Sequence, residues 1–212
     1  VQLGKDGRTD YLRTERNVST SSQLTVMAWV NVNSYPAGAD AEVGVVAASS
    51  GPTTTEEGAW MLYLDEGRFP AFRAREINGN GPNGYIAELV DQNTLFSTFT
   101  DASPIQNGHS ENWRHLAATV QDNIVSLYVD GEVVATTENT NAVNIRMLPT
   151  LQPIWIGVNP NDPNGTGSIN PDNYLNAGVK EVQVWRYAMT QEQIKARVAG
   201  QSDPNGATNA IT

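Results

Sequence analysis

The chain has 212 residues, no cysteine, and 13 basic against 23 acidic side chains, for a formal charge of −10. The missing thiols exclude disulfides, cysteine nucleophiles and cysteine-ligated zinc, and the acidic balance disfavours nucleic acid and anionic membrane as partners. No run of about 18 apolar residues occurs, so no membrane-spanning helix is expected, and the length suits one domain burying roughly 70% of its unfolded surface.

A secreted eukaryotic domain often carries a disulfide. A chain without one points to a prokaryotic or viral surface protein, or to the cytosol. It opens on Val1 with no leader, so a processed mature chain or an excised domain is expected.

Taken in order, the sequence reads as strands between turns. Residues 10–13 form a short strand after the polar turn of residues 5–9. Asn17 begins a glycosylation sequon, as does Asn164. Residues 24–32 alternate, with Leu24, Val26, Ala28, Val30 and Val32 on one face and Met27 and Trp29 on the other. A strand apolar on both faces is expected to be central and covered on both sides. Further strands are expected at 43–48, 59–64 and 68–75, with long loops at 33–40 and 49–58. Pro70 cannot donate to a ladder and points to an edge strand or a bulge. The Gly/Asn loop 77–85 is followed by strands at 86–90 and 94–99, and these by the loop 100–112.

Residues 113–120, 124–129 and 132–137 read as an antiparallel meander. Asp130-Gly131 is its second turn, because both residues tolerate positive φ. A strand at 154–158, the turn-rich loop 159–173 and a strand at 179–185 that closes the sheet complete the pattern. Thr190 and Gln193 fit a capping box for one short helix that stops at Gly200, with Ile194 and Val198 on one face. The expected fold is therefore all-β, a two-sheet antiparallel jelly-roll sandwich with one short C-terminal helix. Residues 1–200 form the domain and 201–212 a flexible tail or linker. No internal repeat is present.

The meander also carries a resemblance. Trp113, His115 and the run Leu127-Tyr128-Val129-Asp130-Gly131 resemble the LamG-like jelly-roll domains of the concanavalin A-like lectin/glucanase superfamily. So do Asp10-Tyr11-Leu12, the strand from Leu24 to Val30, Pro153 to Gly157 and Gly178 to Trp185. The resemblance implies a concanavalin A-like fold over most of the chain. It does not fix a function, since this superfold carries lectins, hydrolases, lyases and inert spacers.

No constellation of catalytic residues stands out. Hydrolases of that superfamily carry Glu-x-Asp-x-Glu on one strand, and this sequence has no such run; Glu56-Glu57 and Asp65-Glu66 are adjacent turn residues. No Gly-x-Ser-x-Gly elbow occurs either. A lyase site could be built only from Arg73 and Arg75 beside Tyr85 or Tyr63, without a supporting motif. Calcium is the candidate cofactor, because Asp and Asn oxygens in Gly-rich loops suit a hard cation. Asp10, which matches the family's Asp-Tyr, and Asp162 and Asp172 of the loop 159–173 are its candidate ligands. Where the family that this chain resembles carries Ile-Asp-Glu-Val, it has Val179-Lys180-Glu181-Val182, so an ammonium stands in place of that Asp, could fill a cation site itself, and argues against a calcium there.

For a sugar, the candidate contacts are Tyr35, Trp60, Tyr85 and Tyr174 as stacking rings and Arg73 and Arg75 as donors. Trp29, Trp155 and Trp185 read as packing residues. The reading is a non-catalytic extracellular carbohydrate-binding or adhesion module, calcium-dependent if those carboxylates converge. The alternative is a structural domain that meets a neighbouring surface protein in a surface layer, filament or viral particle; an enzyme ranks third.

Overall fold

The computed structural model describes residues 1–3, 9–19, 23–34, 42–49, 60–65, 68–75, 85–90, 113–121, 124–138, 151–160, 169, 173–200 and 210–211. In chain order the strands are β1 (Gln2–Leu3), β2 (Leu12–Arg13), β3 (Val18–Ser19), β4 (Leu24–Ser34), β5 (Val43–Ala48), β6 (Trp60–Leu64), β7 (Pro70–Arg75) and β8 (Tyr85–Val90). They continue with β9 (Arg114–Gln121), β10 (Ile124–Val129), β11 (Glu132–Glu138), β12 (Leu151–Gln152), β13 (Ile154–Ile156) and β14 (Asn176–Trp185), then helix α1 (Gln191–Val198) and β15 (Ala210–Ile211). The fold is the expected antiparallel two-sheet jelly roll.

One sheet has seven strands in the order β1-β14-β4-β9-β10-β11, with β15 added to β14. The other has six, in the order β2-β13-β5-β6-β7-β8, and β3 pairs with β12 as a small ribbon at its margin. The two-residue side-chain period places every second residue between the sheets. Leu24, Val26, Ala28 and Val30 of one sheet meet Trp60, Leu62, Leu64 and Phe72 of the other in one continuous core. Each such aliphatic side chain contributes roughly 1.5–3 kcal/mol by leaving water.

β4 is central, between β14 and β9, as its double apolar face requires. Pro70 does not mark an edge. β7 pairs with both β6 and β8, and Pro70 is tolerated because it is the strand's first residue; the register slips instead between Ala74 and Arg75. β14 does not close its sheet, because β1 pairs along its outer side. The Asp130-Gly131 turn forms as expected, with φ of 51° and 85°. The expected strand at 94–99 lies outside the described residues.

The outer faces of the two sheets differ. On the seven-stranded sheet, Met27, Ala117, Tyr128 and Trp185 pack under Met189 and Ile194, so the helix region covers one half. The helix starts where its sequence says: the Thr190 hydroxyl accepts from the Gln193 backbone, and the Gln193 side chain accepts from the Thr190 backbone. Along the same face, beyond the helix region, stand Trp29 and His115. Their rings meet edge-on at 5.2 Å. His115 is 2% exposed, its Nδ1 has no hydrogen-bond partner, and its backbone N–H donates to Asp130 at 2.8 Å. Burial outweighs the attraction of Asp130 and pulls the His115 pKa down from 6.5 to about 4.

Candidate ligand-binding site

The outer face of the six-stranded sheet is built around the strand register. Cross-strand pairing runs Arg13, Trp155, Ala47, Met61, Arg73 from one margin inward. With strands about 4.8 Å apart, Trp155 and Arg73 stand about 14 Å from each other, with small or flexible side chains between. Ala47, Met61, Tyr63, Ala71 and Trp155 form a second apolar cluster there, closed over by Val158, Ile169 and Tyr174.

The covering chain is laid down by a close backbone approach. After β13 the chain crosses β5 at Gly44, where an added Cβ would lie 2.2 Å from the Val158 carbonyl oxygen. Only a glycine lets the two backbones touch in this way. Residues 159 and 173, the ends of the expected loop, lie side by side. These feet are joined by the Asn159 N–H donating to the Asn173 carbonyl at 3.0 Å and by a bridge between Val158 and Tyr174.

Arg73 ties this loop to the sheet. Its guanidinium donates to Glu42 Oε2 at 2.7 Å and lies over the Tyr63 ring at 5.0 Å. Asn159 Nδ2 donates to the same Glu42 oxygen at 3.3 Å. The Arg73 side chain is only 7% exposed. This predicted donor therefore holds the floor and the loop's foot.

The exposed part of the site is the margin. Tyr11 is 40% exposed; its ring meets Trp155 at 5.2 Å and Tyr174 at 6.1 Å. The exposed Arg13 guanidinium lies over the Trp155 ring, 4.8 Å from its centre. Trp155 is itself buried, its indole N–H donating to the Ser49 carbonyl at 2.9 Å. Burial, and then the neighbouring Tyr11, push the half-buried Tyr174 hydroxyl above its ordinary pKa.

Of the residues expected to meet a sugar, Tyr174 and Arg73 share this face. Trp60 does not: it is 1% exposed and packs in the core between the sheets, so its ring offers no face to a ligand, which corrects the expectation. Its position is inward because it alternates with Met61, whose side chain takes the outer face. Arg75 and Tyr85 are paired with each other at the end of β7 and β8, and their side chains lie outside the described residues, as does all of Tyr35. Asp10 precedes Tyr11 at the site margin, while Asp162 and Asp172 lie outside the described residues. Among the described residues no three acidic or imidazole groups gather to hold a metal. Asn17 is exposed; Asn164 lies outside the described residues.

Tyr11 and Arg13 were not singled out from sequence. Their signal was the alternation Tyr11-Leu12-Arg13 on a short strand, which puts a ring and a cation on one face.

The chain belongs to the concanavalin A-like lectin/glucanases superfamily: the family model Laminin_G_3 matches residues 6–195. No curated protein sequence matches it. Among solved structures it is similar to the heptameric SAP-like pentraxin from Limulus polyphemus, at 14% identity and a TM-score of 0.58, over 94% of this chain and 81% of that one. It is also similar to the CBM40 of the Ruminococcus gnavus IT-sialidase, bound to α2,3-sialyllactose, at 12% identity and a TM-score of 0.57, over 89% and 96% of the two chains. A third is the ligand-binding domain of botulinum neurotoxin serotype D with N-acetylneuraminic acid, at 12% identity and a TM-score of 0.52. This chain is covered over 91% there and spans 40% of the toxin chain. At such identities the likeness is one of fold. No helix among the described residues is long and apolar enough to cross a membrane.

Proposed function

We propose that this domain is a non-catalytic, extracellular carbohydrate-binding module whose ligand sits at the Tyr11 margin of the six-stranded sheet. The observation that carries the reading is the partly exposed Tyr11 ring, backed by Trp155 and Tyr174, with the exposed Arg13 guanidinium lying over the same Trp155 ring. Sugars present an apolar C–H face and a rim of hydroxyls, and a fixed ring beside a cationic donor complements both. The backing rings matter because they hold Tyr11 in place before a ligand arrives, which lowers the entropy lost on binding. Two of the structural neighbours carry sialylated or sialic acid ligands, which supports the carbohydrate class.

A second reading draws on Leu12 and Leu151, 43% and 65% exposed on the same sheet margin and its ribbon, which would suit a neighbouring surface protein. A glycan array separates the two. The first reading expects binding to a defined set of glycans that drops at least tenfold in Tyr11→Ala and in Arg13→Ala. An array with no binding, or binding indifferent to both substitutions, sinks the glycan reading and leaves the protein partner.

A further inference from the structure

The seven-stranded sheet offers a separate surface on the part of its outer face that the helix region leaves uncovered. Cross-strand pairing sets Lys180, Trp29 and His115 in one row of β14, β4 and β9. In the neighbouring row Gly178 pairs with Asn31, one position along β4 from the partner of Arg114, so Trp113 enters this row from the third strand. The Trp113 indole reaches back across β4 to β14: a Cβ added at Gly178 would lie 2.7 Å from its ring. The absence of a side chain at Gly178 is thus what lets the ring approach β14.

Both indoles are half-buried, and the exposed Lys180 is held by them, its Nζ 4.7 Å from the Trp113 ring centre and 5.5 Å from that of Trp29. Lys180 pairs with no carboxylate among the described residues, and its neighbour Glu181 makes no ion pair with it. The strand bulges directly after Lys180, with Glu181 at φ 52°. One step further along the sheet, the Asn33 side-chain amide donates to the Asn176 side-chain oxygen at 3.2 Å, and both amides lie at the surface.

These groups together have a definite chemistry. An ammonium carries three donors; ring faces take one side of it and leave the others for an acceptor. The indoles supply apolar walls; the Asn176 amide is fixed by Asn33 and by donating to the Ser34 hydroxyl, which leaves the second N–H of each amide for a hydroxyl of a ligand. A charge-assisted bond from an ammonium is about twice as strong as a neutral one, so the site discriminates by charge. We propose that Lys180, Trp29, Trp113 and the Asn33–Asn176 pair form a second binding site, specific for saccharides bearing a carboxylate or sulfate group. It stands on a different sheet from the Tyr11 margin and does not depend on that site's being occupied.

The test is an NMR titration of the whole domain, following the five tryptophan indole N–H signals. The probes are a hexuronate oligosaccharide, a sulfated oligosaccharide and a neutral oligosaccharide of equal length. The expected result is saturable movement of the Trp29 and Trp113 signals with one or both acidic probes, at least tenfold weaker with the neutral one. Lys180→Gln should weaken the acidic probe at least tenfold with the melting temperature unchanged, and Lys180→Arg should retain binding. Gly178→Val, which displaces the Trp113 ring, should lose binding as well. If only the Trp155 signal moves, if the neutral probe binds equally, or if Lys180→Gln binds like wild type, the proposal is overturned. Hexuronate and sulfate responses tell which anion the site takes.

Discussion

At the scale of single residues, His115 is the group whose chemistry reaches furthest into stability. Folding takes its imidazole from an ordinary pKa of 6.5 to about 4. Between those values the unfolded chain binds a proton that the folded chain refuses, so stability rises with pH across that window. It is at its full value above about 6.5 and lowest at and below about 4. A depression of this size is worth on the order of 3 kcal/mol. Urea unfolding at pH 7.5, 5.5 and 4.5 should show the loss, and His115→Gln should flatten the part of the slope above pH 5. The chain has only one other histidine, His109, so a slope that survives in the variant belongs to that residue or to the carboxylates.

At the scale of elements, the anchoring of the loop 159–173 is the testable unit. Arg73→Met removes the partner of Glu42 and the brace under Asn159. Breaking a fully buried pair costs about 3–5 kcal/mol. Glu42 is 32% exposed, so solvent screening reduces this to about 1–2 kcal/mol. For a domain this size the melting temperature should drop by roughly 2–8 °C. Amide exchange at Asn159 and Leu175 should accelerate at the same time. A lowered melting temperature with unchanged exchange at these amides would show that Arg73 stabilises the sheet without holding the loop.

The elements are also where the sequence was most readable. The alternation of 24–32, the Asp130-Gly131 turn and the Thr190 capping box each rest on local chemistry, and each forms as read. Of the two alternatives read from Pro70, the edge strand fails, because as first residue of β7 it needs no ladder donor, while a register irregularity does occur in that strand, at Ala74/Arg75. The ligand margin was legible only in part. Tyr174 and Arg73 could be picked out by residue type, but their sharing one face depends on Gly44 admitting the chain across β5, a long-range contact with no local mark. The burial of Trp60 follows from sheet packing in the same way. Trp155, read as packing, does pack, and in doing so it becomes the back wall of the candidate site.

For the molecule as a whole, the charge distribution carries the argument. Against a net charge of −10, several basic groups do not pair with acids alone: Arg13, Arg73, Lys180 and Arg197 each rest on an aromatic ring. Rings hold cations without neutralising them, so local positive spots persist on an acidic body. An acidic body also attracts calcium, and thermal unfolding with excess calcium against a chelator tests that reading globally. Should Asp10, Asp162 and Asp172 converge on the ion, calcium at about 100 times its Kd adds about 2.7 kcal/mol and raises the melting temperature by several degrees. An unchanged melting temperature would make the glycan reading metal-independent.

The two feet of the loop 159–173, joined to each other and braced on Glu42, have a consequence for how such a domain diversifies. A segment clamped at both ends can change sequence, or grow, while the frame beneath it keeps its register. Doubling the length of a flexible loop adds only about 0.6 kcal/mol of closure cost. Transplanting loops of unrelated composition between Asn159 and Asn173 should therefore yield folded proteins with new ligand preferences. The clamp turns this corner of the sandwich into a socket for recognition sequences.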